Sequence, residues 1–89
     1  SRGLLASDNG TIINCSNGSA ISITIPDNLP SGFNCMIIQS GSGRVTLSAS
    51  SSATLNNKNG LLTSGQYAIM TLVHLGSDVF IISGDTASS

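Results

Sequence analysis

The segment Ala20-Ile21-Ser22-Ile23-Thr24-Ile25 constrains the fold more than any other, because three Ile alternate with Ser and Thr and Pro26 follows at once. Residues two apart share one face of a strand, a helix would need apolar residues three or four apart, and Pro cannot donate to a ladder. The segment is therefore a half-buried strand that stops at Pro26. The same period of two recurs along the chain. In 33–39, Phe33, Cys35 and Ile37 oppose Met36 and Ile38, and in 44–49, Val45, Leu47 and Ala49 oppose Thr46 and Ser48. Residues 11–15, 53–55, 66–75 and 78–83 add further strands.

Turn chemistry separates these runs. Asp8-Asn9-Gly10 and Asn17-Gly18 supply residues that tolerate positive φ, so 11–15 and 20–25 are expected to form a hairpin. Residues 27–32, Ser40-Gly41-Ser42-Gly43 and 56–60 are loops of the same kind, and the low-complexity Ser50-Ser51-Ser52 precedes 53–55. Gly76-Ser77 predicts a two-residue type II′ turn joining the last two strands. No stretch has a helical period and no internal repeat stands out. The expectation is one all-β domain over 1–89, a compact β-sandwich or barrel-like protomer of seven or eight short strands. Residues 1–10 form an N-terminal arm and 84–89 a flexible tail.

A chain of 89 residues buries only about 60% of the surface its unfolded form exposes, so small domains often gain stability from a partner. Two features point to a partner here. The final hairpin is apolar on both faces: Tyr67, Ile69 and Val73 oppose Ala68, Met70 and Leu72, while Val79 and Ile81 oppose Phe80 and Ile82. One Lys and two Pro are also few guards for open strand edges, and Val79-Phe80-Ile81-Ile82 would be an aggregation hazard if exposed. The expected oligomer interface is Met36, Ile38, Tyr67, Ile69, Val73, Phe80 and Ile82. The competing reading is a closed barrel that takes both strands deep into its wall.

Composition removes several functions. Charged residues are 8% of the chain, the net charge is -1, and the only cations besides His are Arg2, Arg44 and Lys58. Such a surface cannot neutralise a run of phosphates, which argues against nucleic acid and against an anionic membrane. The longest apolar runs fall far short of the ~20 residues of a spanning helix. Residues 1–7 lack the apolar core of a secretory signal, so Ser1 reads as a mature or excised start. Cys15 and Cys35 permit a disulfide without requiring one, and their apolar surroundings favour buried, reduced thiols.

The chemistry-bearing residues are few. His74 is the only histidine, and its expected role is structural, at a strand end with one hydrogen bond or facing water. No sequence spacing ties it to a carboxylate or a nucleophile. The four acids, Asp8, Asp27, Asp78 and Asp85, stand beside turn residues or strand starts, where Asp caps the backbone. Asp27-Asn28 alone is too poor in oxygens for calcium, and Gly41-Ser42-Gly43 lacks the Lys and helix of a phosphate loop. The sequons at Asn9, Asn14 and Asn17 follow from composition. No enzyme activity and no cofactor are expected.

With the strands in order, a pattern emerges. It runs from Leu4-Leu5-Ala6-Ser7-Asp8-Asn9-Gly10 through Ile21-Ser22-Ile23-Thr24-Ile25-Pro26 and Gly32-Phe33-Asn34-Cys35-Met36-Ile37-Ile38-Gln39. It continues to Gly65-Gln66-Tyr67-Ala68 and Phe80-Ile81-Ile82-Ser83-Gly84-Asp85. This pattern covers most of the chain and resembles a module of bacteriophage virion proteins, found in head or tail fibres and as capsid decoration. The resemblance implies a homotrimer of β-rich protomers, a location on the virion after assembly in the host bacterial cytoplasm, other virion proteins as partners, and no catalytic residue. Where the pattern would carry Trp in the last strand, this chain has Phe80. The expected function is thus a structural fibre or decoration module. The alternative is a receptor-binding tip for a host surface glycan, which would rest on loop Asn, Asp and Ser because Tyr67, Phe33 and Phe80 are expected in the core.

Overall fold

A computed structural model of the chain describes residues 2–26, 29–50 and 53–88. The expectations placed on Asp27-Asn28 and on Ser51-Ser52 lie outside them. The fold is all-β, and the described residues hold one helical element, a 3-10 turn at Ala6–Asp8. Ten strands are described, against the seven or eight expected: β1 Arg2–Gly3, β2 Ile12–Cys15, β3 Ile21–Ile25, β4 Asn34–Gln39, β5 Val45–Ala49, β6 Thr54–Asn57, β7 Leu62–Thr63, β8 Ile69–Gly76, β9 Val79–Gly84 and β10 Thr86–Ala87. The surplus comes from two-residue strands too short for periodicity to reveal. One of them, β10, pairs with β7 inside the stretch expected to be a flexible tail.

The strands form two five-stranded sheets. Sheet A has the order β1-β3-β5-β7-β10 and sheet B the order β2-β4-β8-β9-β6. Both sheets have open edges, so a closed barrel is not what forms. The N-terminal half winds as a solenoid, alternating between the sheets. β1 and β3, β3 and β5, and β2 and β4 all pair in parallel. Ile12 faces Met36 and Ile21 faces Val45, so in each sheet a residue meets the one 24 places further on. The expected hairpin of 11–15 with 20–25 does not exist. Asn17-Gly18 is a corner carrying the chain from sheet B to sheet A, and local turn chemistry is the same for a corner and a hairpin. The repeat invisible in the sequence is thus a coil of 24 residues, conserved in pattern between 12–25 and 36–49 and not in identity.

Corner stacking explains two glycines. The amides of Gly41 and Gly43 donate to the carbonyls of Cys15 (3.2 Å) and Asn17 (2.9 Å), laying the second corner on the first. A Cβ at Gly41 would collide with the Asn17 carbonyl and one at Gly43 with the Ser19 carbonyl.

The C-terminal half is antiparallel. β8 pairs with β4 and with β9, and this hairpin separates β4 from β6, which pairs in parallel with β9. The connecting turn differs from the expected Gly76-Ser77. Its central residues are Ser77 and Asp78, both left-handed at φ 54° and 59°, as a type I′ turn requires. Gly76 instead closes β8 beyond an irregularity that falls between His74 and Gly76.

The core lies between the sheets. Ile23, Ile25, Val45 and Leu47 come from sheet A, and Ile13, Cys35, Ile37, Met70, Leu72, Phe80 and Ile82 from sheet B, with Phe33 also fully buried. One polar link crosses this core. Thr63 Oγ1 donates to Gln39 Oε1 and accepts from the Val45 amide (2.9 Å), while Gln39 Nε2 donates to the Gly41 carbonyl (3.1 Å). Both side chains are buried, and these bonds satisfy them where water cannot.

Candidate interaction face

Alternation sends every second residue of sheet B outward. In the paired register, three outward apolar pairs step across the sheet: Ile12 beside Met36, Ile38 beside Ile69, and Val73 beside Ile81. Ile12 is 63% exposed, Met36 44%, Ile69 42% and Ile81 38%. Uncharged polar residues extend the same rows. Asn14 lies beside Ile38, Asn34 beside Val73, Asn56 beside Ile81, and Thr71 lies between Met36 and Ser83. No charged side chain occurs in these rows, so a neutral partner meets no desolvation cost from an ion.

Of the seven residues expected at an interface, Met36, Ile38, Ile69 and Val73 lie together on this face. Tyr67 is 73% exposed, just before β8. Phe80 and Ile82 do not belong there: both point inward and are buried by the chain's own core, 0% and 1% exposed. Their neighbours Val79 and Ile81 take the outward positions. Ile12 and Ile81 were missed, although the alternation with Ile13 and with Phe80 carries the signal. The exposure of Tyr67 also overturns its expected place in the core, whereas Phe33 and Phe80 do lie there. Tyr67 has φ 71°, a conformation rare for a bulky side chain, and its amide donates to the Gln39 carbonyl.

His74 is buried inside β8 rather than facing water. Its Nδ1 lies 2.9 Å from the Pro30 carbonyl, which can only accept, so Nδ1 carries the proton. The ring stacks on Phe80 with centroids 4.3 Å apart at 12°, and Nε2 has no partner among the described residues. His74 thereby fastens the segment around Pro30 beneath the sheet, helped by the Gly32 amide donating to the His74 carbonyl.

Asp8 Oδ2 accepts from Arg2 Nη2 (2.6 Å) and from the Leu5 amide (2.8 Å). Burial alone would raise its pKa, but the Leu5 amide and the Arg2 guanidinium outweigh it and hold the carboxyl below its ordinary value. Cys15 and Cys35 are free and buried. Burial, seconded by the charge of Asp8, pushes the Cys35 thiol up to about 11, and burial also raises Cys15. Among the described residues no three His, Cys or Asp side chains gather as metal ligands would. Among the described residues no helix is long and apolar enough to cross a membrane. No family model matches this chain, and neither the curated proteins nor the solved structures contain a match.

Proposed function

We propose that the chain is a non-catalytic structural module that assembles with copies of itself through the outer face of sheet B, as a homotrimer of the kind used in phage fibres or capsid decoration. One observation carries the assembly: three pairs of apolar side chains share an outward sheet face with Thr71 among them and Asn and Ser beside them, and Ile12, Met36, Ile69 and Ile81 are exposed. Contiguous exposed apolar surface of this sort marks interaction sites. Completing the burial of these half-covered side chains is worth on the order of 1 kcal/mol each. Association costs roughly 4–15 kcal/mol, so burying this face on every copy offsets a cost of that order, and the burial by itself sets no number of copies. The number three and the virion setting are drawn from the sequence resemblance.

Light scattering on the purified chain tests the assembly. The expected mass is three times 9.0 kDa at micromolar concentration, and a stable monomer overturns the reading. Finding the chain, or a longer protein containing it, by mass spectrometry of purified particles tests the virion setting.

A second reading, a glycan-binding tip, is favoured by Tyr67. An aromatic that is 73% exposed and held at positive φ offers the flat apolar platform on which sugars stack. Saturable binding on a glycan array that disappears in Tyr67→Ala would support this reading, and an array without binding removes it.

A further inference from the structure

The two ends of the molecule match each other in both sheets. At one end the edge strands are β1 in sheet A and β2 in sheet B, and at the other they are β10 and β6. β2 and β6 have four residues each, and β1 and β10 have two each. Their directions agree as well. Following the pairings across sheet B, β6 runs the same way as β2, and across sheet A β10 runs the same way as β1.

Both ends are also unfinished. The carbonyls of Thr11 and Cys15 are used towards β4, so alternation leaves the backbone groups of Ile12 and Asn14 on the free edge of β2. No Lys, Pro or bulge guards that edge. Beside it a cavity of about 490 Å³ opens between the sheets, lined by Ile13 and Cys15 of β2, Ile21 and Ile23 of β3, and Arg2. At the other end, the Thr54 amide is used towards Asp78, which leaves Leu55 and Asn57 facing outward. There the Asn57 side chain donates to the Leu55 carbonyl (3.2 Å), filling the place of a strand amide. Ile21 at the first end and Leu55 at the second are only partly buried against the core.

We infer that these ends join head to tail between copies of this chain, β6 onto β2 and β10 onto β1, each pair parallel. Such a contact continues both sheets and buries Ile21 and Leu55 in one continuous core. It repeats the pairing the chain already uses within itself, β2 on β4 and β9 on β6. Because the two surfaces are different, the contact is heterologous, and because each copy continues both sheets strand on strand in one direction, copies extend as a filament. Five strands at ~4.8 Å give an axial repeat of about 24 Å. This contact uses the edge backbone of β2 and β6, whereas the face contact uses the outward side chains of sheet B; the two share only Ile12 and Asn14, through different groups.

Two proline variants test it, each removing an outward amide that the protomer itself does not use: Asn14→Pro at the first end and Asn57→Pro at the second. By sedimentation velocity, the mass of the unmodified chain should rise without a plateau from micromolar to millimolar concentration. Either variant alone should settle at one mass, and an equimolar mixture, which pairs the two intact ends, should double that mass. A concentration-independent mass for the unmodified chain overturns the inference, and this measurement stands even if a variant fails to fold. Two folded variants that do not combine overturn it also. Repeating the series in Ile69→Asp separates this contact from the face contact: trimers vanish, while end-to-end growth remains.

Discussion

The two sheets alternate with the same period and turn apolar side chains inward alike, yet their outer faces are opposites. On sheet A the outward pairs Ser22 with Thr46 and Thr24 with Ser48 are hydroxyls, and only Leu62 and Ala87, continuing the Thr46 row, are apolar among the paired described residues. On sheet B they are Ile12 with Met36, Ile38 with Ile69 and Val73 with Ile81. A hydroxyl-covered face keeps its hydration at no cost, whereas an Ile-covered face loses free energy until something covers it. The difference separates what a single copy needs to fold from what it leaves over for contact: the inner rows build the protomer, and the larger apolar surplus lies on sheet B.

The largest effect should come from charging the two outer faces. Ile69→Asp combined with Ile81→Asp is expected to reduce the mass in light scattering threefold, whereas Thr46→Asp with Ser48→Asp on sheet A should leave it unchanged. If both pairs dissociate the assembly, the contrast between the faces is broken. Next come adjacent residues on opposite sides of β9. Phe80→Ala empties the core and removes the ring stacked on His74, costing about 3–5 kcal/mol in denaturant unfolding. Ile81→Ala, measured in the monomeric background, should cost less than about 1 kcal/mol.

A smaller loss tests the link between the sheets. Thr63→Val leaves the Val45 amide and Gln39 Oε1 without their buried partner, at roughly 1–3 kcal/mol. The inner face should also be closed to reagents. With its thiol raised to about 11 by burial, Cys35 should not react with a disulfide reagent near pH 8 until the chain unfolds, and Cys15 should behave likewise. The smallest effect belongs to Asp8. Its pKa is lower folded than unfolded, so its contribution is present above about pH 4 and is lost as pH falls through the folded value. Asp8→Asn should therefore lower the melting temperature slightly at neutral pH, and the difference should vanish in acid.

Which residues face inward was legible almost throughout, because burial of one face imposes a period of two that a single sequence displays. The alternation of Phe33, Cys35 and Ile37 against Met36 and Ile38 holds in β4. Phe80 and Ile82 fall outside the expected interface because β9 is apolar on both sides and the side that carries them faces the core. Pairing was far less legible. Asn17-Gly18 has the composition of a hairpin turn, and what makes it a corner is the partner strand 24 residues away, a contact no local pattern encodes. The Gln39–Thr63 link was invisible for the same reason, since it joins two sheets across residues that have no periodic relation. Tyr67 shows the reverse error: aromatic identity suggests burial, while the left-handed backbone at its position leaves it in solvent.

The insertion of the β8–β9 hairpin between β4 and β6 has a consequence for how the chain reaches its native state. The parallel coils of the N-terminal half form from contacts about one coil apart, as each residue emerges behind its predecessor. β6 is made early but stays unpaired until β9, more than twenty residues later, supplies its ladder. Made from its N-terminus, the chain is therefore expected to have Thr54–Asn57 in place before the strand that gives it a ladder exists. The two sheets are completed by adjacent stretches of chain, because Thr86–Ala87, which completes sheet A, follows directly behind β9, which gives β6 its ladder in sheet B.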